Sequence, residues 1–372
     1  MRVVIAPQEF KGSMTAVEAA SAIERGVSSM YPEALVDMAP VADGGPGTVD
    51  AMVHAAGGRT SIARVDGPLG SPVDARWGRI DEGRTAVIEM AAASGLTLLR
   101  QEELDPRRAS THGTGQLIRH ALDAGVERIL IGVGGSATND GGAGMAEALG
   151  AVFLDDEGQR LPPGGASLAQ LAAIDINQLD ARLGEVGMTV LCDVQNPLLG
   201  PEGASAVYGP QKGADPVCVA ELDRALSNFA AILERDLTAK VADVPGAGAA
   251  GGLAAGLMAF CGSTLQSGFA AVADAVHLPE RIAQADLVIT GEGRLDTQSA
   301  YGKTVAGVAE LAKTANVPCF AIAGLIDGDA ELPGLIDSEA STPPGMPVEE
   351  AMVRTGELVP AAVVRLLRRY SR

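Results

Sequence analysis

The chain has 372 residues, 47% of them hydrophobic, and its 28 lysines and arginines face 47 aspartates and glutamates for a formal charge of -19. That length can bury a substantial core and suggests two domains. The acidity, with a pI near 4.6, opposes nucleic-acid and membrane-surface partners, so a bound polyanion must be met locally by backbone N–H groups and a few cations.

In chain order, short β-branched runs alternate with alanine-rich helical patterns, the rhythm of an α/β fold with a mainly parallel sheet. Val3 to Ala6 precedes a helix over 16–27, and Ile129 to Ile131 precedes one over 141–149. Leu287 to Ile289 precedes a helix over 305–313, and Cys319 to Ala323 follows. These runs read as strands buried on both faces. Residues 67–89 differ: Pro68, Gly70 and Pro72 lead into an alternating Ala75 to Ile80 segment that suits an antiparallel hairpin. We expect it to open an inserted domain over 71–270, with 1–70 and 271–372 rejoining as the other. The start lacks the basic and apolar pattern of a signal peptide and no apolar run reaches 18 residues, so the expectation is a cytoplasmic protein. Cys192, Cys218, Cys261 and Cys319 have no CxxC spacing, and the expectation is four reduced thiols.

Glycine numbers 47 and clusters beside charged and hydroxyl residues, and six segments stand out: 10–13, 42–48, 134–142, 209–213 and 290–296, which contain glycine, and the Asp-Asn-Pro segment 192–197. Each ends a strand-like run or sits in a turn, where open α/β sheets bind ligands. Singly, such glycines are turn chemistry. Together they offer lysines, an arginine and carboxylates without a nucleophilic Cys or His, a set that fits phosphoryl transfer. A Walker A loop is absent, because Thr297 stands where Gly302-Lys303-Thr304 would need a preceding glycine. Gly132-Val133-Gly134-Gly135-Ser136-Ala137 matches the dinucleotide fingerprint, with Asp155 downstream, so an NAD-dependent dehydrogenase is a rival reading. A non-catalytic nucleotide-binding protein is a third.

These segments, read as IAPxxFKGS (5–13), ADGGxGT (42–48), GPLG (67–70), GGSATNDGG (134–142), CDVxNPL (192–198), GPQKGA (209–214), PGAGAAGG (245–252) and GEGRxD with GK (291–303), run in order through the chain. The whole chain resembles the type 1 glycerate kinase family. The resemblance implies ATP-dependent phosphorylation of D-glycerate with Mg²⁺, usually to 2-phosphoglycerate. It also implies a Rossmann-type, restriction-endonuclease-like parallel-sheet domain and a flavodoxin-like α/β domain. Pro46 stands where many members have Glu, Gln8-Glu9 replaces a commoner Asp-Ser or Asp-Lys pair, and His112 stands where Tyr is frequent.

Lys11 is the first candidate cation for the glycerate carboxylate or the transferred phosphoryl, against the fate of most lysines, which is solvent. Lys212 is a second, and Arg294 could clamp a carboxylate unless an ion pair with Glu292 or Asp296 occupies it. Asp43 is the candidate proton acceptor, with a turn cap as its plain alternative. Asp193 and Asp296 are alternatives for that role or for Mg²⁺. Backbone and hydroxyl groups of Ser13, Gly44, Gly45, Thr48, Gly134, Gly135, Ser136, Thr138, Asn139, Gly291 and Glu292, with Lys303, are candidate phosphate or substrate contacts; helix capping competes for several of them. The scattered histidines read as surface or satisfied groups. The only partner expected is the small-molecule substrate, bound to a monomer or homodimer.

Overall fold

The structure, a computed structural model, describes residues 1–295, 304–327 and 332–370. Asp296 and Lys303 lie outside the described residues. The described strands, numbered along the chain, are β1 (Arg2–Pro7), β2 (Leu35–Met38), β3 (Arg59–Asp66), β4 (Pro72–Ile80), β5 (Thr85–Glu89), β6 (Arg128–Gly132) and β7 (Val152–Leu154), then β8 (Ala173–Asp175), β9 (Gly187–Leu191), β10 (Thr264–Gln266), β11 (Leu287–Leu295), β12 (Cys319–Ile326) and β13 (Asp337–Ala340). The chain divides into two compact units: residues 1–43, 50–57 and 269–372, and residues 44–49 and 58–268. Both are α/β.

The first unit holds an all-parallel sheet in the order β13-β12-β11-β1-β2. β1 pairs with β11 in the register Val4 to Val288 and Ile5 to Ile289. Val3, Val4 and Ile5 are fully buried, as their unbroken apolar run requires for a central strand covered on both faces. The helix Ala16–Met30 covers one face and lays Ile23 and Val27 against Val363 and Leu367 of the helix Thr355–Tyr370. A capping box starts the first of these helices. The Thr15 side chain accepts from the Glu18 N–H at 3.2 Å and Glu18 accepts from the Thr15 N–H at 2.8 Å, which satisfies two N–H groups that the helix geometry orphans.

The second unit holds a six-stranded sheet in the order β10-β9-β6-β5-β4-β3, parallel from β10 to β5 and antiparallel through β4 and β3, with a separate β7-β8 pair. The expected hairpin is therefore present as β4 and β5. The cut expected near residue 70 falls ahead of β3, since β3 pairs with β4 over its whole length. The sequence hides β3: only Ala63 and Val65 of its eight residues are buried, the half-polar alternation of an edge strand.

The dinucleotide fingerprint does not fold as one. The helix after β6 starts at Ala143, well beyond Ala137, and the β7 run before Asp155 pairs antiparallel with β8 in a separate two-stranded sheet instead of extending the parallel sheet. Gly291 to Arg294, read from sequence as a loop, remain in β11; a Cβ on Gly291 would stand 2.2 Å from the Ile322 carbonyl oxygen, so glycine is what keeps β11 against β12. All four cysteines are free and buried. No described helix is long and apolar enough to cross a membrane.

Thr15→Ala removes the cap acceptor and should lower the stability of the first unit by about 1 kcal/mol. A urea midpoint equal to wild type would show that the capping box contributes nothing there.

Candidate active site

In the first unit, the chain winds from β1 outward to β2 and returns to β11 on the opposite side of β1. The carboxyl ends of β1 and β11 therefore flank a topological switch point, where a crevice opens in doubly wound sheets. A cavity of about 370 Å³ occupies that place, lined among others by Glu9, Lys11, Ser13, Asp43, Glu292 and Arg294.

The turn after β1 is fixed by local bonds. Phe10, 1% exposed, anchors it in the core. The Ser13 and Met14 N–H groups and the Ser13 hydroxyl all donate to the Phe10 carbonyl oxygen, at 2.8, 3.0 and 2.9 Å. Gly12 supplies the left-handed residue the turn needs, at φ +79°. Lys11 is consequently held out at the tip, exposed, on the cavity wall. Opposite it, Gly293 lies so close that a Cβ there would stand 3.2 Å from the Lys11 nitrogen.

Asp43 lines the same cavity and accepts from Gln8 Nε2 at 2.9 Å. Arg294 is paired with Asp327, at 3.6 Å, and not with Glu292. Sequence reasoning passed over Glu9. Burial, then the negative charge of Asp43, push its carboxyl above the usual glutamate value, with Lys11 acting in the opposite direction. The signal available in the sequence was the replacement of a Ser or Lys by an acid immediately before Phe10-Lys11.

In the second unit, the segments after β6 and before the helix Thr48–Ala56 meet backbone to backbone. Gly134 N–H donates to the Gly44 carbonyl at 3.3 Å, and a Cβ on Gly132 would stand 2.3 Å from that oxygen. A Cβ on Gly134 would stand 2.7 Å from the Gly45 Cα. A Cβ on Gly44 would stand 2.7 Å from the Leu191 carbonyl oxygen, so Gly44, Gly132 and Gly134 are required by chain approach, whatever else they do. Thr48 is fully buried and its hydroxyl donates to the Gly45 carbonyl at 2.6 Å. Gly135 is exposed at φ +75° and Ser136 is 6% exposed, so the accessible part of this loop is short.

Thr138, Asn139 and Lys212 turn inward. Lys212 is 1% exposed and its Nζ donates to the Thr138 carbonyl oxygen at 2.7 Å; Asn139 Nδ2 donates to Ser205 Oγ at 3.0 Å. Asp140, equally buried, accepts from the N–H groups of Thr111, Gly142 and Gly144 and from the Thr111 hydroxyl. The side chains expected to contact phosphate at 138, 139 and 212 face protein instead, because the loop folds around a buried ammonium and a buried carboxylate. Thr138 Oγ1 and Asn139 Oδ1 have no hydrogen-bond partner in this structure. Asp193 is exposed, and its Oδ1 accepts from Ser267 Oγ at 2.7 Å and the Gly268 N–H at 2.9 Å. Among the described residues no three His, Cys, Asp or Glu side chains converge as a metal cluster.

Burial pushes the Lys212 ammonium from 10.5 down to about 7, against the smaller opposing charge of Asp140. The unfolded chain then binds more protons between about pH 7 and 10.5, so this group's destabilising effect is full below pH 7 and relieved as pH rises through that window. Relative to wild type, Lys212→Met should gain stability most at pH 6.5 and progressively less toward pH 10, at up to about 1.4 kcal/mol per pH unit. A difference in urea-unfolding free energy that is flat with pH would contradict the buried ammonium.

The glycerate kinase family model matches residues 3–371. The chain is 51% identical over 360 residues to a glycerate kinase of Bacillus subtilis (strain 168), covering 96% of this chain and 94% of that one. It is 51% identical over 329 residues to a glycerate 2-kinase of Escherichia coli (strain K12), covering 88% and 86%. A crystal structure from Salmonella typhimurium LT2 that bears the name glycerate kinase 2 superposes with a TM-score of 0.90 at 48% identity, covering 100% of this chain and 98% of that one. Together with the failed dinucleotide fingerprint, these matches remove the dehydrogenase reading, and the chain belongs to the glycerate kinase family, a family of kinases.

Proposed function

We propose that this chain transfers the γ-phosphoryl group of ATP to D-glycerate, forming 2-phosphoglycerate and ADP. The observation that supports it most is the switch-point cavity, where Lys11, Ser13, Asp43 and Arg294 converge in a volume suited to a three-carbon acid and a phosphoryl group. The secondary hydroxyl oxygen of glycerate forms the new bond to Pγ as the bond to the ADP oxygen breaks, and Asp43 accepts the hydroxyl proton. Gln8 Nε2 holds Asp43 Oδ2 at 2.9 Å, and both residues line the cavity. Lys11, exposed at its turn, meets the substrate carboxylate or the phosphoryl oxygens. Positioning and charge neutralisation dominate such chemistry.

The cavity's own charges bear on the metal. Glu9, Asp43 and Glu292 line it against Lys11 and an Arg294 already facing Asp327, so a polyphosphate enters more readily as a complex with a divalent cation. Mg²⁺ takes one or two carboxylates and completes its shell with phosphates and water. The raised pKa of Glu9 marks an under-compensated carboxylate at this wall, and Glu9 fits the role of holding the cation, which would supply charge neutralisation at the β- and γ-phosphates. The sequence-based candidates Asp193 and Asp296 stand as alternatives to Glu9 for this role.

Incubation with ATP, Mg²⁺ and D-glycerate should produce ADP and 2-phosphoglycerate in ³¹P NMR spectra; no turnover with glycerate or other hydroxy acids sinks the proposal. Lys11→Ala should lower kcat/KM on the order of 100-fold with an unchanged thermal midpoint, and full activity would return Lys11 to solvent. Glu9→Gln should raise the Mg²⁺ concentration needed for half-maximal rate about tenfold near neutral pH. Because burial, then the charge of Asp43, raises the Glu9 pKa above the usual glutamate value, wild type should converge on the variant as the medium is acidified and Glu9 is protonated. Identical Mg²⁺ titrations at neutral pH would exclude Glu9 from the metal site.

A further inference from the structure

The switch-point cavity has a wall that the proposed chemistry does not use, and every residue lining the cavity belongs to the first unit. Besides Lys11, Asp43 and Arg294, it is lined by Val348, Ala351, Met352 and Thr355. Their spacing of i, i+3, i+4 and i+7 puts these four on one face of helical backbone. The short helix Val348–Val353 and the start of the helix Thr355–Tyr370 supply it.

This wall is fixed by backbone bonds. After β13, the Ser341 and Thr342 N–H groups donate to the Ala323 and Gly324 carbonyl oxygens at 2.7 and 3.2 Å, which ties the approach to β12. In the short helix, the Ala351 N–H donates to the Pro347 carbonyl oxygen at 3.0 Å. The Thr355 hydroxyl then donates to the Met352 carbonyl oxygen at 2.8 Å.

Ala351 and Thr355 are buried, whereas Val348 and Met352 stay 43% and 37% exposed. Apolar side chains that line a cavity and remain outside the core have burial still to gain, and the carbon chain of a ligand supplies it. Met352 is also the one that meets the turn carrying Lys11. A Cβ on Gly12 would stand 2.9 Å from Met352 Cε, so the end of the thioether lies against that turn. An unbranched thioether conforms to irregular space, and here it bridges from the helix to the turn and bounds the cavity on that side.

We propose that Met352 sets the length of the acid this cavity accepts: its thioether end occupies the place that the next carbon of a longer hydroxy acid would need. The inference rests on reading the cavity as the glycerate site, and adds to it the residue that restricts the substrate to three carbons. One added carbon is worth about 10- to 200-fold in discrimination by an apolar wall.

The test is kcat/KM of the full chain, for wild type and Met352→Ala, on D-glycerate and on D-erythronate, which is longer by one CHOH unit. Met352→Ala should raise the ratio of erythronate to glycerate about tenfold or more, with the thermal midpoint at the wild-type value. A merely structural role would lower both activities together and leave the ratio unmoved. If Met352→Ala does not fold, Met352→Val, which removes the sulfur and its methyl, decides in its place. A ratio within twofold of wild type in a folded variant that still phosphorylates glycerate overturns the role of Met352 and leaves the glycerate reading standing. A wild-type chain that turns over neither acid overturns both.

Discussion

The parallel pairing of β1 with β11 is the constraint from which the proposed chemistry follows. It sets the first residues of the chain beside residues 287–291 and creates the switch point that opens a crevice at the carboxyl ends of both strands. Lys11 follows one strand and Arg294 ends the other. Neither is near the other in sequence; Lys11 lies outside the sheet, while Arg294 sits next to the end of β11, in register with Leu325 of β12. What brings them to one cavity is the apolar run Val3 to Ile5, whose complete burial leaves a central position as its favourable place.

The second unit uses charge differently. Lys212 and Asp140 are both enclosed, and enclosure of charge is costly unless every lone pair and proton finds a partner. Asp140 meets that demand with four donors; Lys212 places one proton on the Thr138 carbonyl. The result specifies the backbone from Gly134 to Gly142 instead of presenting side chains to a ligand. The Phe153, Phe229 and Phe260 rings pack within 5.8 to 6.5 Å of one another in the same unit's core, an apolar cluster that keeps water out of the interior.

Much of this was legible in the residues and some was not, for identifiable reasons. The buried strands were readable because a central parallel strand is apolar throughout, whereas β3 was invisible because an edge strand alternates with arginine, threonine and serine. Lys11 and Asp43 of the first unit, proposed as site residues, could be singled out because they sit in turns, and the structure shows that both line one cavity. Lys212 was misplaced because a glycine-flanked lysine in a turn has one sequence pattern whether it points to solvent or to the interior; only the burial distinguishes them. The glycines were read as a phosphate cradle, yet at Gly44, Gly132 and Gly134 they are demanded by segments that approach too closely for any Cβ. Glu9 escaped because its interest lies in its burial and in the charge of Asp43, 34 residues later in the chain, and both arise only once the chain is folded.

The order of segments has a consequence for biosynthesis. Residues 58–268 of the second unit emerge from the ribosome as one continuous piece, while the first unit lacks β11, β12 and the helix Thr355–Tyr370 until after that piece has been made. Domains fold as units during synthesis, so the second unit is free to fold while Val3 to Ile5 and the apolar face at Ile23 and Val27 wait for their partners. The apolar surface of residues 3–27 therefore stays uncovered until those later segments follow, an interval in which a holding chaperone would shield it.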